Sequence, residues 1–110
     1  MAEAYYHSES AKQLRKLRQL KPDLFASFVD FDTKVFQEGA LNVKTKELIA
    51  VAAAHITQCP FCIDAHTKRA KKAGASDTEI AETVFVAMAL RAGGAFAHSA
   101  IAMHSLEPAP

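Results

Sequence analysis

Three side chains capable of redox or metal chemistry lie close together in the sequence: Cys59, Cys62 and His66. Proline is tolerated at the first position of a helix, so Pro60 predicts a helix that begins there, with Cys59 at its N-cap. Residues four apart on a helix are neighbours, and we therefore expect Cys62 and His66 to lie side by side. The unpaired backbone N–H groups at the start of the helix, together with a nearby imidazolium, would stabilise a thiolate there. The pattern thus predicts a thiol of lowered pKa.

The spacing of the two cysteines favours reversible oxidation. When one thiolate attacks a peroxide or a disulfide, its oxidised sulfur stays within reach of the second thiol, which can form an intramolecular disulfide. A structural cross-link is disfavoured, because so short a loop gives little stabilisation. Two alternatives remain open. Zinc could bind both thiolates and His66, with Glu47 or His55 as a fourth ligand, or the cysteines could be an inert buried pair.

Glu47 precedes Val51 and His55 at steps of four, so these residues share one face of a helix leading toward the cysteines. Two interpretations fit Glu47. It is either a partly buried acid on an otherwise apolar helix or a first-turn carboxylate stabilised by the helix dipole. For His55, a core histidine with one satisfied ring nitrogen is favoured over a catalytic group.

The composition predicts that helices carry these residues. Alanine accounts for 22 of 110 residues, more than the 17 of valine, isoleucine and threonine combined, which favours helix over strand. Ser76 followed by Glu79 has the form of a capping box, and Gly93 and Gly94 are expected to interrupt the last apolar stretch. The predicted segments run from Ser8 or Ser10 to Leu20, from Pro22 to Gly39, from Lys44 to Thr57, from Pro60 to Gly74, from Ser76 to Arg91 and from Ala95 to Met103. We therefore expect an all-α bundle of five to six helices in a single domain, 1–110.

The charge and hydropathy of the chain bear on its partners. A net charge of +1 and a pI near 7.8 predict no attraction to nucleic acid or anionic membranes. Residues 84–103 are apolar, but Arg91, His98 and the two glycines argue against a membrane span. The small residues of that stretch favour burial between subunits instead. The N-terminus lacks the features of a signal peptide, which predicts a cytoplasmic protein.

The spacing E-x11-C-x-x-C-x-x-x-H, formed by Glu47, Cys59, Cys62 and His66, resembles the core motif of the AhpD-like alkylhydroperoxidases in the carboxymuconolactone decarboxylase superfamily. The segment KKAGASDTEIAETVFVAMALRAGG is similar to the turn and helix that follow in that family, and the resemblance covers about residues 20–105. It implies an all-α fold, obligate assembly into trimers or hexamers, and thiol-dependent reduction of hydroperoxides or disulfides. No cofactor or metal is implied, and a dithiol protein or small thiol would supply the electrons.

The resemblance also implies a role for each residue of the motif. Cys62 would be the peroxidatic cysteine that becomes a sulfenic acid, and Cys59 the more exposed partner that donates a proton and closes the disulfide. His66 would be the base beside Cys62, with Glu47 as a buried acid that acts on it through water. Fuller members of the family have a histidine before the second cysteine, where this chain has Phe61. A disulfide reductase or isomerase with little peroxidase activity is therefore an alternative, as is a zinc-binding structural module.

Overall fold

The computed structural model describes residues 9–109, which form five α-helices and contain no strand. The all-α prediction is confirmed, at the lower end of the expected helix number. The chain divides into two compact units, one ending at Val43 and the other beginning at Lys44. The helices are α1 (Ser10–Leu20), α2 (Pro22–Val35), α3 (Val43–Thr57), α4 (Pro60–Lys72) and α5 (Asp77–Ser105).

The first unit contains α1 and α2, which meet at Lys21. Pro22 begins α2 as predicted, because its fixed φ suits the first helical turn. Ser10 is the first residue of α1 and not its cap, which is Glu9, and Ser8 lies outside the described residues. The second helix ends at Val35, before Gly39.

Aromatic contacts join the two helices of this unit. The guanidinium of Arg18 lies over the ring of Phe25, 5.4 Å from its centroid, and the rings of Phe25 and Phe28 are 5.8 Å apart. An apolar groove of about 410 Å³ lies beside them. No residue of α1 or α2 is buried, so these two helices offer apolar surface without a core between them.

The second unit contains α3, α4 and α5 around a small core. Val51, Ala70 and Ala75 form its buried cluster, and Val51 is completely inaccessible to solvent. Partly buried apolar side chains from α3 and α5 pack around the cluster: Leu48, Ile80 and Val84. Alanine at two of the three positions of this cluster adds little bulk, so the backbones of α4 and α5 can approach closely.

Helix α5 begins with the predicted capping box. The Glu79 N–H donates to Ser76 Oγ at 3.0 Å, and the Ser76 N–H donates to Glu79 Oε1 at 2.8 Å. The helix then continues for 29 residues through Gly93 and Gly94, so the predicted interruption is wrong. A glycine inside a helix costs only about 1 kcal/mol relative to alanine, and the helix-forming residues on either side outweigh that cost.

The same helix exposes much of its apolar surface. Its most hydrophobic window has a mean hydropathy of 1.4 and is only 6% buried, so α5 is long and apolar enough to cross a membrane by length and composition alone. The ring of Phe96 is 81% exposed. Near the middle of the helix, however, Arg91 makes a tertiary hydrogen bond to the carbonyl oxygen of Ile56 in α3.

Candidate functional site

The turn between α3 and α4 places Cys59 at the meeting point of two helices. Gln58 adopts a left-handed backbone conformation with φ of 58°, and the Cys59 N–H donates to the carbonyl of Ala54 at 3.1 Å. A left-handed residue followed by this six-residue hydrogen bond is the Schellman motif that ends many helices. The backbone of Cys59 is therefore held by the end of α3, while its side chain caps α4.

The end of α4 shows the same Schellman motif, with glycine, the usual residue, in the left-handed position. Gly74 has φ of 100°, and the Ala75 N–H donates to the carbonyl of Ala70 at 2.9 Å. Glycine pays no Cβ penalty in this conformation, whereas glutamine does. The turn before the cysteines thus contains backbone strain that the corresponding turn after α4 avoids.

Cys59 and Cys62 form a close dithiol at the start of α4. Pro60 is the first helical residue and Cys59 the N-cap, as predicted, and the Cys62 N–H donates to Cys59 Sγ at 3.3 Å. The two sulfur atoms are 2.7 Å apart, and neither cysteine forms a disulfide. A disulfide has a sulfur–sulfur bond of about 2.05 Å, so oxidation requires only a small displacement of the side chains.

The pKa of Cys59 is lowered from the ordinary value of a cysteine. The main cause is the hydrogen bond with the Cys62 thiol, followed by the backbone N–H of Cys62, and the N–H of Phe61 adds a smaller effect. Partial loss of solvent opposes these contributions. Either thiol can donate the hydrogen bond between the sulfurs, but the backbone N–H groups favour Cys59 as the thiolate that accepts it.

The backbone N–H groups in the first turn of α4 act on the N-cap thiol. Those of Cys62 and Phe61 contribute to the lowered pKa of Cys59. The sequence pattern predicts this effect of the helix start but does not identify Cys59 as the thiol that receives it.

Glu47 and His66 form a buried pair between α3 and α4. Glu47 Oε1 lies 2.6 Å from His66 Nδ1, and the two side chains are 5% and 15% exposed. Glu47 is beyond the first turn of α3, so the dipole interpretation does not apply to it. The interpretation as a buried acid agrees with the structure, but the contact with His66 is direct, whereas the family resemblance implied one through water. Because Nδ1 is bonded to Glu47, proton exchange between His66 and other groups would pass through Nε2.

His55 remains outside this pair. Its Nδ1 lies 2.7 Å from the carbonyl oxygen of Val51, one turn earlier in α3, and the side chain is partly buried. This is the core histidine with one satisfied ring nitrogen that the sequence favoured. Between residues 9 and 109, no group of three or more histidine, cysteine, aspartate or glutamate side chains is placed to hold a metal ion.

Sequence reasoning missed the contact of Arg91 with the turn. Arg91 Nη1 donates to the carbonyl oxygen of Ile56 at 2.9 Å, close to the end of α3. In the sequence, the only signal is a cation within an apolar stretch, which argues against a membrane span but indicates no partner. The partner is a backbone carbonyl of another helix, and no side-chain pattern identifies it.

Comparison with known proteins agrees with this architecture. Residues 22–105 match the carboxymuconolactone decarboxylase family. A relative from Paracoccus denitrificans, uncharacterized protein 4 in the cox locus, is 47% identical over 81 residues, which cover 74% of this chain and 73% of that protein.

Solved structures show the same relationship. A carboxymuconolactone decarboxylase family protein from Legionella pneumophila is 38% identical with a TM-score of 0.68, covering 74% of this chain and 73% of its own. A family protein from Thermotoga maritima, for which a part in an antioxidative response has been suggested, is 32% identical with a TM-score of 0.56, covering 76% of this chain and 95% of its own. The family match extends from the start of α2 to the end of α5 and includes every residue of the dithiol site; the chain belongs to the carboxymuconolactone decarboxylase family.

Proposed function

We propose that this protein is a cytoplasmic, thiol-dependent peroxidase that reduces hydroperoxides with the Cys59–Cys62 dithiol. The observation that carries the proposal is the pair of reduced cysteine sulfur atoms 2.7 Å apart at the N-terminus of α4. The Glu47–His66 pair joins the same helix to α3. The antioxidative role suggested for the Thermotoga maritima family member is consistent with this chemistry.

The reaction begins with the proton shared by the two sulfurs. Cys59, whose thiolate is stabilised, takes the proton of Cys62 and leaves Cys62 as the attacking thiolate. Cys62 attacks the terminal oxygen of the hydroperoxide, the O–O bond breaks, and Cys62 becomes a sulfenic acid. The departing alkoxide takes the proton held by Cys59 and leaves as an alcohol.

The second step closes the disulfide. The Cys59 thiolate attacks the Cys62 sulfenic sulfur, forming the S–S bond and releasing hydroxide, which is protonated to water. A dithiol protein or small thiol then reduces the disulfide by exchange and is itself oxidised. Each turnover consumes one hydroperoxide and two thiols of the donor.

In this proposal the Glu47–His66 pair assists proton transfer at Cys62. His66 follows Cys62 by one helical turn, and its hydrogen bond to Glu47 fixes the orientation of the imidazole ring. His66 is thereby poised to assist deprotonation of Cys62 and, later, protonation of the released hydroxide.

Steady-state consumption of an alkyl hydroperoxide with dithiothreitol tests the proposal. We compare wild type, Cys62→Ser and Cys59→Ser. Each cysteine variant is the control for the other, because the chain has only two cysteines. Cys62→Ser should abolish turnover. Cys59→Ser should allow one oxidation of Cys62 but slow repeated turnover. Undiminished peroxide consumption by Cys62→Ser would reject the assignment.

A second candidate is a disulfide reductase or isomerase with little peroxidase activity. It is favoured by the lowered pKa of Cys59, since the N-cap thiolate could attack a disulfide directly. Phe61, in place of the histidine of fuller family members, is consistent with it. Mixing reduced protein separately with a hydroperoxide and with a small disulfide, and following the loss of free thiols, distinguishes the two activities. A faster reaction with the disulfide would favour the second candidate.

We further propose that copies of this chain assemble through α5 into a trimer or hexamer. Large apolar side chains along this helix are more than half exposed. Those of Phe85, Leu90, Phe96 and Ile101 are 64%, 64%, 81% and 66% exposed. Exposed apolar surface on this scale is typical of an interface. The mass in solution, measured by light scattering, should fall in Phe96→Glu but not in Thr78→Glu, which adds the same charge to an exposed site on α5. A monomeric wild type would contradict the proposal.

A further inference from the structure

Cys59 lies between two helix ends of opposite electrostatic sign. Helix α3 ends at Thr57, two residues before it, and helix α4 begins at Pro60, immediately after it. The C-terminus of a helix carries partial negative charge and the N-terminus partial positive charge. A thiolate on Cys59 is therefore stabilised by α4 and destabilised by the last carbonyls of α3.

Arg91 binds the C-terminal end of α3, which is the end that disfavours a thiolate on Cys59. Its Nη1 donates to the carbonyl oxygen of Ile56, 2.9 Å away, and Ile56 is the penultimate residue of α3. The last four carbonyls of a helix have no partner within it. A cation bonded to one of them offsets the partial negative charge at the end of α3, which lies two residues before Cys59 in the chain.

The same hydrogen bond joins α5 to the strained turn. Gln58 stands between Ile56 and Cys59 in a left-handed conformation that glutamine adopts at a cost. The Cys59 N–H bond to Ala54 holds the turn from within α3. Arg91 reaches it from 35 residues away in the sequence and is a tertiary restraint on the same segment.

We propose that Arg91 is a positioning residue of the dithiol: its bond to the Ile56 carbonyl holds the turn before Cys59 and offsets the negative end of α3, so that Cys59 ionises more readily. The inference depends on the proposed dithiol chemistry for its functional meaning. The test measures the acidity of the Cys59 thiol, however, so the inference can fail or succeed independently of peroxide turnover. Cys62, His66 and Glu47, the other titratable groups of the site, are kept in every variant.

The test is the pH profile of Cys59 alkylation by iodoacetamide, with the modified cysteine identified by peptide mass spectrometry. Arg91→Met removes the charge and the hydrogen bond. We expect the midpoint for Cys59 to move to higher pH, with an acid dissociation constant about two- to fivefold smaller, the range typical of a charge at an exposed helix end. Arg91→Lys keeps the charge and can still donate to the carbonyl, and should restore most of the wild-type profile.

Arg69→Met is the matched control, because Arg69 is an exposed arginine in the last turn of α4, away from the cysteines. It should leave the Cys59 midpoint unchanged. Circular dichroism checks that each variant is folded, and Arg91→Gln replaces Arg91→Met should the latter fail to fold. An unshifted midpoint in a folded neutral variant, or an equal shift in Arg69→Met, would overturn the proposal. A shifted midpoint in a protein without peroxide turnover would instead count against the proposed function alone.

Discussion

The carboxylate of Glu47 and the imidazole of His66 are joined at 2.6 Å, and this contact links α3 to α4 behind the dithiol. Both side chains are almost fully buried. A buried carboxylate is costly unless it is hydrogen-bonded, and His66 supplies a hydrogen bond to it. The pair therefore serves the packing of the two helices as well as the orientation of the imidazole ring.

Replacing Glu47 by glutamine should destabilise the protein by about 1–3 kcal/mol, because a charge-assisted bond becomes a neutral one in a buried site. Urea unfolding of the reduced protein measures the change. Glu82→Gln is the control, since Glu82 is exposed on α5 and the same substitution there should have little effect. Equal free energies of unfolding for the two variants would show that the buried contact contributes nothing to stability.

Trapping of sulfenic acid identifies the cysteine that reacts with peroxide. After one equivalent of hydroperoxide, Cys59→Ser should be labelled by dimedone at Cys62, because the cysteine that resolves the sulfenic acid is missing. Cys62→Ser should show little label, since Cys59 is the resolving thiol in the proposed sequence. Mass spectrometry locates the label. Strong labelling of Cys59 in Cys62→Ser, with none at Cys62 in the other variant, would reverse the two roles.

The lowered pKa of Cys59 predicts a pH-dependent contribution to stability. The folded state binds its thiol proton more weakly than the unfolded chain does. The stabilisation is therefore fully present above the unfolded pKa and is lost as pH falls through the folded pKa. In reducing buffer, the difference in free energy of unfolding between wild type and Cys59→Ala should grow as pH is raised from about 6 to 9.5. A difference that is constant across this range would show that the thiolate is not stabilised by the fold.

The two left-handed turns predict opposite effects of glycine. Gln58→Gly should raise the free energy of unfolding by about 1 kcal/mol, because it removes the Cβ penalty at φ of 58°. Gly74→Ala should lower it by about 1–2 kcal/mol for the same reason. Apart from Gly74 itself and its two chain neighbours, no atom lies within 4 Å of a Cβ built on Gly74, so the cost comes from the local backbone conformation and not from a clash with the rest of the fold. Thermal unfolding of the reduced proteins measures both, and loss of stability in Gln58→Gly would contradict the assignment of strain.

Local signals in the sequence were sufficient for much of the fold. Pro60 determined where α4 begins, because proline fits only the first turn of a helix, and this placed Cys59 at the cap. Ser76 and Glu79 identified the start of α5 through reciprocal bonds between residues three apart. Each of these features depends on neighbours within one helical turn, which a sequence displays directly.

Features that depend on contacts between helices were harder to predict from the sequence. The sequence left Glu47 with two interpretations, because its partner is 19 residues away and only folding brings them together. The bond from Arg91 to Ile56 involves a backbone carbonyl and had no pattern to reveal it. Gly93 and Gly94 gave a false local signal. Two adjacent glycines resemble a helix end, but the residues around them have enough helix propensity for α5 to continue.

The sulfur of Cys59 closes the first turn of α4 as well as belonging to the dithiol. As a thiolate it accepts the N–H of Cys62 with a full negative charge, whereas in a disulfide the same atom is neutral and a weaker acceptor. Oxidation therefore weakens the cap of the helix that carries the site, and the fold favours the reduced form. A dithiol stabilised in this way has a less negative reduction potential than an unconstrained one, and its disulfide passes its oxidising equivalents readily to a donor thiol.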